Sequence, residues 1–367
     1  MVSAAAPHGD RRSAPLPYGP PARSVTSERQ FRMRAIRLHT FGPAGNLRLE
    51  EVADPEPGPG QVLVAVAAAG VHLLDAAIRG GVKGPLPALP ELPAIPGREV
   101  AGTVRALGPG TDPGWLGKEV VAHLGLAPGG YAELAAVDAD RLHEVPGGLD
   151  PAGAVALIGT GRTAMGIVQF AEPGPGDLVV IPAAAGGLGG FLLQYAEQAG
   201  ATVLGLAGGS RKTALVAAGG ADLALDYTDP GWPEKAAAWL DGRAATLVYD
   251  GVGGEAARAA VDLLGPGGTH LVFGWSAEGI GSESGGFRLG EQESKARGIT
   301  TLEVLGPPMM RRAGGENPIR TLELRALGHA AAGRLRPVVQ RYPLAEAARA
   351  HEDLAGRRTV GKVVLEP

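Results

Sequence analysis

The chain has 367 residues, enough for two cores, with 45% hydrophobic residues and a net charge of −4, so a nucleic-acid partner has no electrostatic support. It contains no cysteine, which excludes disulfides, thiol nucleophiles and every cysteine-containing zinc site. Its 59 glycines and 31 prolines approach the level of disordered chains, but the apolar content and periodic segments require a folded protein.

Residues 1–32 are rich in Pro, Ala, Ser and Arg without apolar periodicity and read as a disordered tail. No secretory apolar segment opens the chain, and a cytoplasmic location is expected. Met33–Leu38 reads as a first strand. Gln61–Ala67 alternates as a half-buried strand does, after the turn-forming run Pro55–Gly60. Ala69–Asp75 then opens a short helix, Ile95–Val104 is a loop entering a strand, and Gly117–Ala122 is another strand. Gly129–Glu133 leads into the next one. Short strands with frequent turns predict an antiparallel, barrel-like domain.

At Asp150 and Pro151 the rhythm changes, with an N-cap residue followed by proline at the first helical position. From here strands alternate with helices. Leu178–Ile181 is a short apolar run, Ala183–Gly190 is glycine-rich, and Leu188, Leu192, Tyr195 and Ala199 recur at helical spacing. The glycine stretch is a version of the G-x-G-x-x-G fingerprint with Ala184 at its first position, then Gly186 and Gly189. One small residue makes the turn, Gly186 admits a pyrophosphate, and Gly189 lets the helix pack on its strand beneath the bound anion. The apolar run Leu178–Ala207 rivals a membrane span in length, but Pro182, Gln194, Glu197 and Gln198 fit a buried strand and an amphipathic helix.

A second strand, Ala201–Ala207, ends without the Asp or Glu that would hold a ribose hydroxyl. Ser210, Arg211 and Lys212 follow, a hydroxyl and two cations, so the pattern favours NADPH; the alternative is a solvated helix start. Ala221–Tyr227, Ala245–Asp250 and Thr269–Gly274 read as further parallel strands of a doubly wound sheet, whose ligands bind beyond the carboxyl ends of its strands. Ser276–Gly298 is loop-like. A helix near Leu322–Ala332, a strand at Arg334–Gln340, a helix at Leu344–Leu354 and a strand at Gly361–Leu365 complete the chain. There is no HExxH, no GxSxG elbow, and no P-loop lysine followed by Ser or Thr.

The runs PGPGQVLVAVAAAGVHLLD, IPGREVAG, GGYAE, AAAGGLGG, VYDGVGG and LVFG, with the closing RYPLAEAARAHEDLAGRRTVGKVVLEP, resemble in their order the medium-chain dehydrogenase/reductase superfamily. Within it the similarity is to zinc-independent NADPH quinone oxidoreductases and enoyl reductases, over nearly all of Met33–Pro367. The resemblance implies a GroES-like, mostly antiparallel β-barrel catalytic domain at 33–157 and 300–367, and a Rossmann dinucleotide-binding domain at 158–299. It also implies a homodimer that reduces a quinone or the C=C bond of an α,β-unsaturated carbonyl. A catalytically idle NADPH-binding protein is the rival reading.

Positions that bind catalytic zinc in the family's alcohol dehydrogenases match His72, Arg98 and Thr160. Arginine does not ligate zinc and one imidazole is not a zinc site, so no metal is expected. Carried across by position, the cofactor meets Ala184, Gly186, Gly187, Leu188 and Gly189. Its 2′-phosphate meets Ser210, Arg211, Lys212 and Tyr227, and its nicotinamide side meets Thr163, Gly253, Phe273 and Gly274. Lys362 contacts the phosphates. Phe273 has an alternative as plain core and Tyr227 as a strand cap. His72 stands where these oxidoreductases usually carry Asn. It either bonds the substrate carbonyl and donates the proton, or is a histidine bonded to backbone. Arg98 is either an ion-pair partner of Glu99 or a contact for a substrate anion, and pairing is preferred because interior charges are paired. Trp275 would wall the substrate, and Asp75 is a structural hydrogen-bonding group.

Overall fold

The computed structural model describes residues 1–5, 32–274, 276–277 and 287–367. Contacts divide the chain into Met1–Phe31 and Arg32–Pro367; the second unit carries everything below, and most of the expected tail lies outside the described residues. Strand β1 (Arg32–Leu38) pairs antiparallel with β2 (Leu47–Ala53). Arg48, Glu50 and Glu51 break the alternation of β2, which hides it from a reading by periodicity. Strand β3 runs from Gln61 to Val71, four residues past its predicted end, so helix α1 starts only at Leu73 (Leu73–Arg79). Asp75 fixes that start by accepting the His72 N–H at 2.8 Å. Strands β4 (Glu99–Leu107), β5 (Glu119–His123), β6 (Leu134–Asp138) and β7 (His143–Glu144) follow.

Helix α2 (Pro151–Ala156) is capped as its sequence predicts, the Asp150 carboxylate accepting the Gly153 N–H at 2.8 Å. A wide π turn, Leu157–Gly161, then leads into α3 (Arg162–Val168). The alternating half consists of β8 (Leu178–Ile181), α4 (Gly187–Gln198), β9 (Thr202–Ala207), α5 (Ser210–Ala218), β10 (Leu223–Asp226), α6 (Trp232–Leu240), β11 (Ala245–Asp250), α7 (Gly254–Asp262), β12 (Leu264–Val272), α8 (Glu291–Arg297) and β13 (Thr300–Glu303). Helix α8 corrects the expected loop at 276–298: Gly298 closes it in the left-handed conformation, and its charged turns, with no buried residue, offer no apolar stripe to read. The chain ends with α9 (Pro307–Ala313), α10 (Pro318–Ala331), β14 (Val339–Pro343), α11 (Ala347–Ala355) and β15 (Lys362–Glu366). Strand β14 begins five residues later than the Arg334 start predicted for it, because Pro337 sits in the lead-in.

Two larger sheets result. One, ordered β14-β15-β3-β4-β5-β7 with β6 on β3, is antiparallel except for β14 and β15. The other is all parallel in the order β10-β9-β8-β11-β12-β13. Its order reverses between β8 and β11, so a crevice opens where β8 gives way to the glycine turn. Strand β8 reads as an unbroken apolar run because both its faces are covered: Val179 and Ile181 enter one core, Leu178 and Val180 the other. No helix among the described residues is long and apolar enough to cross a membrane.

Helix α4 packs on the turn that leads into it through Gly189, where an added Cβ would lie 2.4 Å from the Ala183 carbonyl oxygen. The neighbouring Gly190 has nothing nearer than 3.7 Å. Gly189→Ala should therefore destabilise the protein by about 1–3 kcal/mol through overpacking, while Gly190→Ala stabilises by up to about 1 kcal/mol through helix propensity. Denaturant unfolding of the pair checks both signs.

Candidate active site

A cleft of about 890 Å³ runs from the first turn of α4 to the end of β3, and Gly187, Leu188, Thr163, Phe273, His72 and Lys362 all line it. At one end the β8–α4 turn is held in shape by Gly186 N–H donating to Ala183 O (2.9 Å), with Ala183 at φ +54°. Gly361, just before β15, forms a bridge with Gly186 and donates its N–H to Ala185 O at 2.8 Å. The cap residue Gly186 brings no side-chain acceptor. The N–H groups of Gly187, Leu188 and Gly189 in the first turn of this 12-residue helix are thus left for an anion. Ala184 is buried behind them.

At the end of β9, Ala207 is buried and no acid replaces it. The nearest one, Asp226 on β10, accepts from Gly209 N (2.9 Å), Thr228 N and Thr228 Oγ1; those bonds hold its carboxyl below the ordinary value, the Gly209 N–H contributing most. Ser210 and Arg211 are exposed at the start of α5, and the Tyr227 ring lies over Gly208. Lys212 donates to Arg357 O at 2.6 Å. Burial lowers the Lys212 pKa, and the charges of Arg211 and Arg357 lower it further. Arg357 completes this basic corner, reaching Ser276 O and Ala277 O from a left-handed backbone at φ +55°. Sequence reading missed it, because only the return of the chain through β15 brings it 145 residues back to Lys212. The corner suits a phosphate, and the free N–H groups at α4 suit a pyrophosphate, so the residues present fit NADPH.

On the side assigned to the nicotinamide, Thr163 Oγ1 donates to Gly159 O at 2.8 Å and Phe273 packs on Gly251. Gly253, at φ +73°, opens α7 with its N–H on Asp250, and the backbone of Gly274 abuts Gly251. Thr163 and Phe273 face the cleft, whereas Gly253 and Gly274 shape the turns behind it. Trp275 lies outside the described residues.

The other end of the cleft holds a buried charge cluster. His72 Nε2 is 2.8 Å from Lys362 Nζ and 3.0 Å from Glu99 Oε1, and Lys362 Nζ is 2.9 Å from Glu99 Oε2. Glu99 is fully buried and Lys362 nearly so, while the His72 side chain keeps 24% exposure and faces the cleft. Burial would raise the Glu99 pKa, but the His72 imidazole and the Lys362 ammonium together hold it well below the usual range. Two expectations are corrected here. Arg98 does not pair with Glu99: adjacent residues entering β4 point to opposite faces, and Arg98 Nε reaches Asp75 at 3.4 Å instead. Lys362 does not present its ammonium to phosphates; it turns inward to Glu99, and the backbone of Gly361 and Lys362 adjoins the glycine turn. Asp75 takes the structural role expected of it, accepting from His72 N, Arg98 and the buried Tyr131 hydroxyl.

His123 was not singled out by sequence, having no spacing partner, yet it lines the cleft beside His72. Its Nδ1 accepts the Gly125 N–H at 3.0 Å, which leaves the proton on Nε2. Two cations, Lys362 and Arg98, adjoin the histidine that matches a zinc ligand elsewhere. The donor set does not fit a dication, and no group of three or more metal-ligating side chains occurs among the described residues.

Residues 58–147 match the alcohol dehydrogenase GroES-like domain and residues 219–365 the zinc-binding dehydrogenase family. A 2-haloacrylate reductase of a Burkholderia species is 31% identical over 91% of this chain and 98% of its own. A quinone oxidoreductase of Pseudomonas aeruginosa is 31% identical over 91% of this chain and 99% of its own. The crystal structure of Escherichia coli quinone oxidoreductase complexed with NADPH superposes with a TM-score of 0.77 at 26% identity, covering 91% of this chain and all of that one. The chain belongs to the medium-chain dehydrogenase/reductase superfamily, in its zinc-independent quinone oxidoreductase branch.

Acid sensitivity follows from two histidines. Burial, aided by the Arg162 charge, pushes His123 down to about 3, and burial pushes His351 down to about 4, from an ordinary 6.5. The unfolded chain takes up these protons below pH ~6.5 and the folded chain does not, so stability falls as pH drops from ~6.5, by up to about 1.4 kcal/mol per pH unit for each histidine. Urea unfolding between about pH 7 and pH 5 should show this slope, and His351→Gln should remove about half of it.

Proposed function

We propose that this chain is an NADPH-dependent reductase that transfers hydride to an electron-poor acceptor, either a quinone or the C=C bond of an α,β-unsaturated carbonyl. The observation that carries this is the continuity of one cleft from the unpartnered N–H groups of α4 to the half-buried imidazole of His72. The relatives' names support it, as does the NADPH held by the E. coli structure. In this reading residues 158–299 form the cofactor lobe and 33–157 with 300–367 the substrate lobe, in a cytoplasmic homodimer.

Bound along Ala184, Gly186, Gly187, Leu188 and Gly189, the cofactor supplies the hydride; the remaining work falls to side chains. Ser210, Arg211, Lys212, Tyr227 and Arg357 hold the 2′-phosphate. Thr163 and Phe273 border the ring. His72 faces the acceptor and donates the proton that balances the hydride. Lys362, 2.8 Å from Nε2, and Glu99, 3.0 Å from it, hold that nitrogen, and the proton passes through Nε2 because Nδ1 is buried 3.4 Å from Asp75. Stabilisation of the developing oxyanion comes from fixed cations and N–H donors, with Arg98 and His123 beside His72.

The decisive experiment is anaerobic NADPH oxidation against a panel of quinones and enones, with NADH alongside. Turnover with NADPH preferred is expected. Lys212→Ala and Arg357→Ala should each lower the NADPH-over-NADH preference about 10- to 100-fold, the worth of one charge-assisted contact. NADPH binding with no turnover would instead identify an idle cofactor-binding protein, and failure to bind NADPH would end the reading. His72→Asn should lower kcat about 100-fold or more; a variant that keeps wild-type kcat would remove His72 from the proton transfer.

A further inference from the structure

Beside His72 and His123 the cleft is lined by Arg98, Arg162 and the more exposed Arg141. Arg98 and Arg162 are almost desolvated, with side chains 12% and 18% exposed. Each is anchored through one nitrogen to one carboxylate: Arg98 Nε to Asp75 at 3.4 Å, Arg162 Nη1 to Glu323 at 3.1 Å. Neither carboxylate serves its arginine alone. Asp75 also accepts from His72 N and Tyr131, and Glu323 lies 3.0 Å from His143 Nε2. A guanidinium has five N–H donors, so both arginines keep donors beyond these contacts, in a setting where little water competes. His123 adds a neutral Nε2–H; burial and the Arg162 charge keep it unprotonated, as they would in a locally positive field.

We propose that Arg98 and Arg162 bind a free carboxylate on the acceptor, so that the substrate class of this cleft is an α,β-unsaturated carboxylate. This rests on the reductase reading above. Two guanidiniums can take one carboxylate oxygen each, or one can grip both as a fork. The same pair answers a chemical need. A carboxylate is a poor electron sink, because hydride addition at the β-carbon drives the C=C electron pair toward the α-carbon and the already anionic carboxylate. Cations held there stabilise that second negative charge as it forms. The His72 proton then completes the α C–H bond, leaving a saturated carboxylate and the oxidised dinucleotide.

Crotonate and methyl crotonate, which differ in this charge, separate the possibilities. Wild-type kcat/KM should favour crotonate at least about tenfold, and Arg98→Met or Arg162→Met should each cut that ratio about tenfold or more, through both KM and kcat, with Arg98→Lys retaining part of it. Calorimetric binding of butyrate, the saturated product, in the presence of NADP⁺ gives a readout independent of turnover; either methionine variant should weaken it by about tenfold. Reduction of 1,4-benzoquinone or methyl crotonate with no preference for crotonate and no butyrate binding would overturn the inference and leave the reductase intact. Butyrate binding that depends on Arg98, without turnover of any acceptor, would support the carboxylate site and overturn the reductase.

Discussion

The arrangement depends on one buried ion pair, Glu99 with Lys362. A carboxylate and an ammonium removed from water are costly apart and tolerable only together, so strands that meet nowhere in sequence must bring them to one point. Glu99 opens β4 and Lys362 opens β15, both flanking β3 in the sheet. The space they occupy is cleared by small residues: an added Cβ on Gly70 would lie 2.1 Å from Glu99 Oε2, and one on Gly159 would lie 1.6 Å from Oε1. Gly159 sits in the π turn before α3, and such single wide turns recur at functional sites. The wide turn thus makes room for the acid that orients His72.

This pair is also tied to the cofactor cradle. Gly361 bridges Gly186 and precedes Lys362 directly. One residue therefore braces the turn expected to hold the pyrophosphate, and the next carries the ammonium against His72. A shift of β15 would disturb the glycine turn and the cluster of Glu99, Lys362 and His72 together. The basic corner belongs to the same return of the chain, since Arg357 lies five residues before Lys362.

Much of this was legible in the residues. The strand, glycine turn and helix from Leu178 onward have local signatures, as does the capped start at Asp150 and Pro151. The absence of an acid after Ala207 pointed to a phosphate-bearing cofactor. What periodicity hides is whatever depends on distant partners or lacks an apolar stripe: β2 and α8 are strongly charged, and β3 outran its alternating segment because Ala68, Ala69 and Val71 are all buried against packed neighbours. In the site the limits are similar. His72 was found from its position in the family pattern, but its contact with Lys362 spans 290 residues and Arg98's true partner is Asp75, not its neighbour. Arg357 lies inside the closing family run and His123 in no motif, but neither is marked there as a site residue, and folding alone brings each to the site.

The charges of the cleft bear on how such a site works with the donor set it has. A dication concentrates its charge on one atom, whereas guanidiniums spread theirs over a plane and hold it at any accessible pH. Arg98 and Arg162 are each tethered by one carboxylate, Asp75 and Glu323, which fixes the group without consuming its remaining donors. His123, neutral and anchored through Nδ1, adds a donor that does not compete for substrate protons. His72 alone among the cleft's imidazoles has both appreciable exposure and an ammonium behind it. In the proposed function the division of labour is electrostatic: fixed cations would receive the negative charge that hydride transfer creates, and one histidine, held by Glu99 and Lys362, would handle the proton.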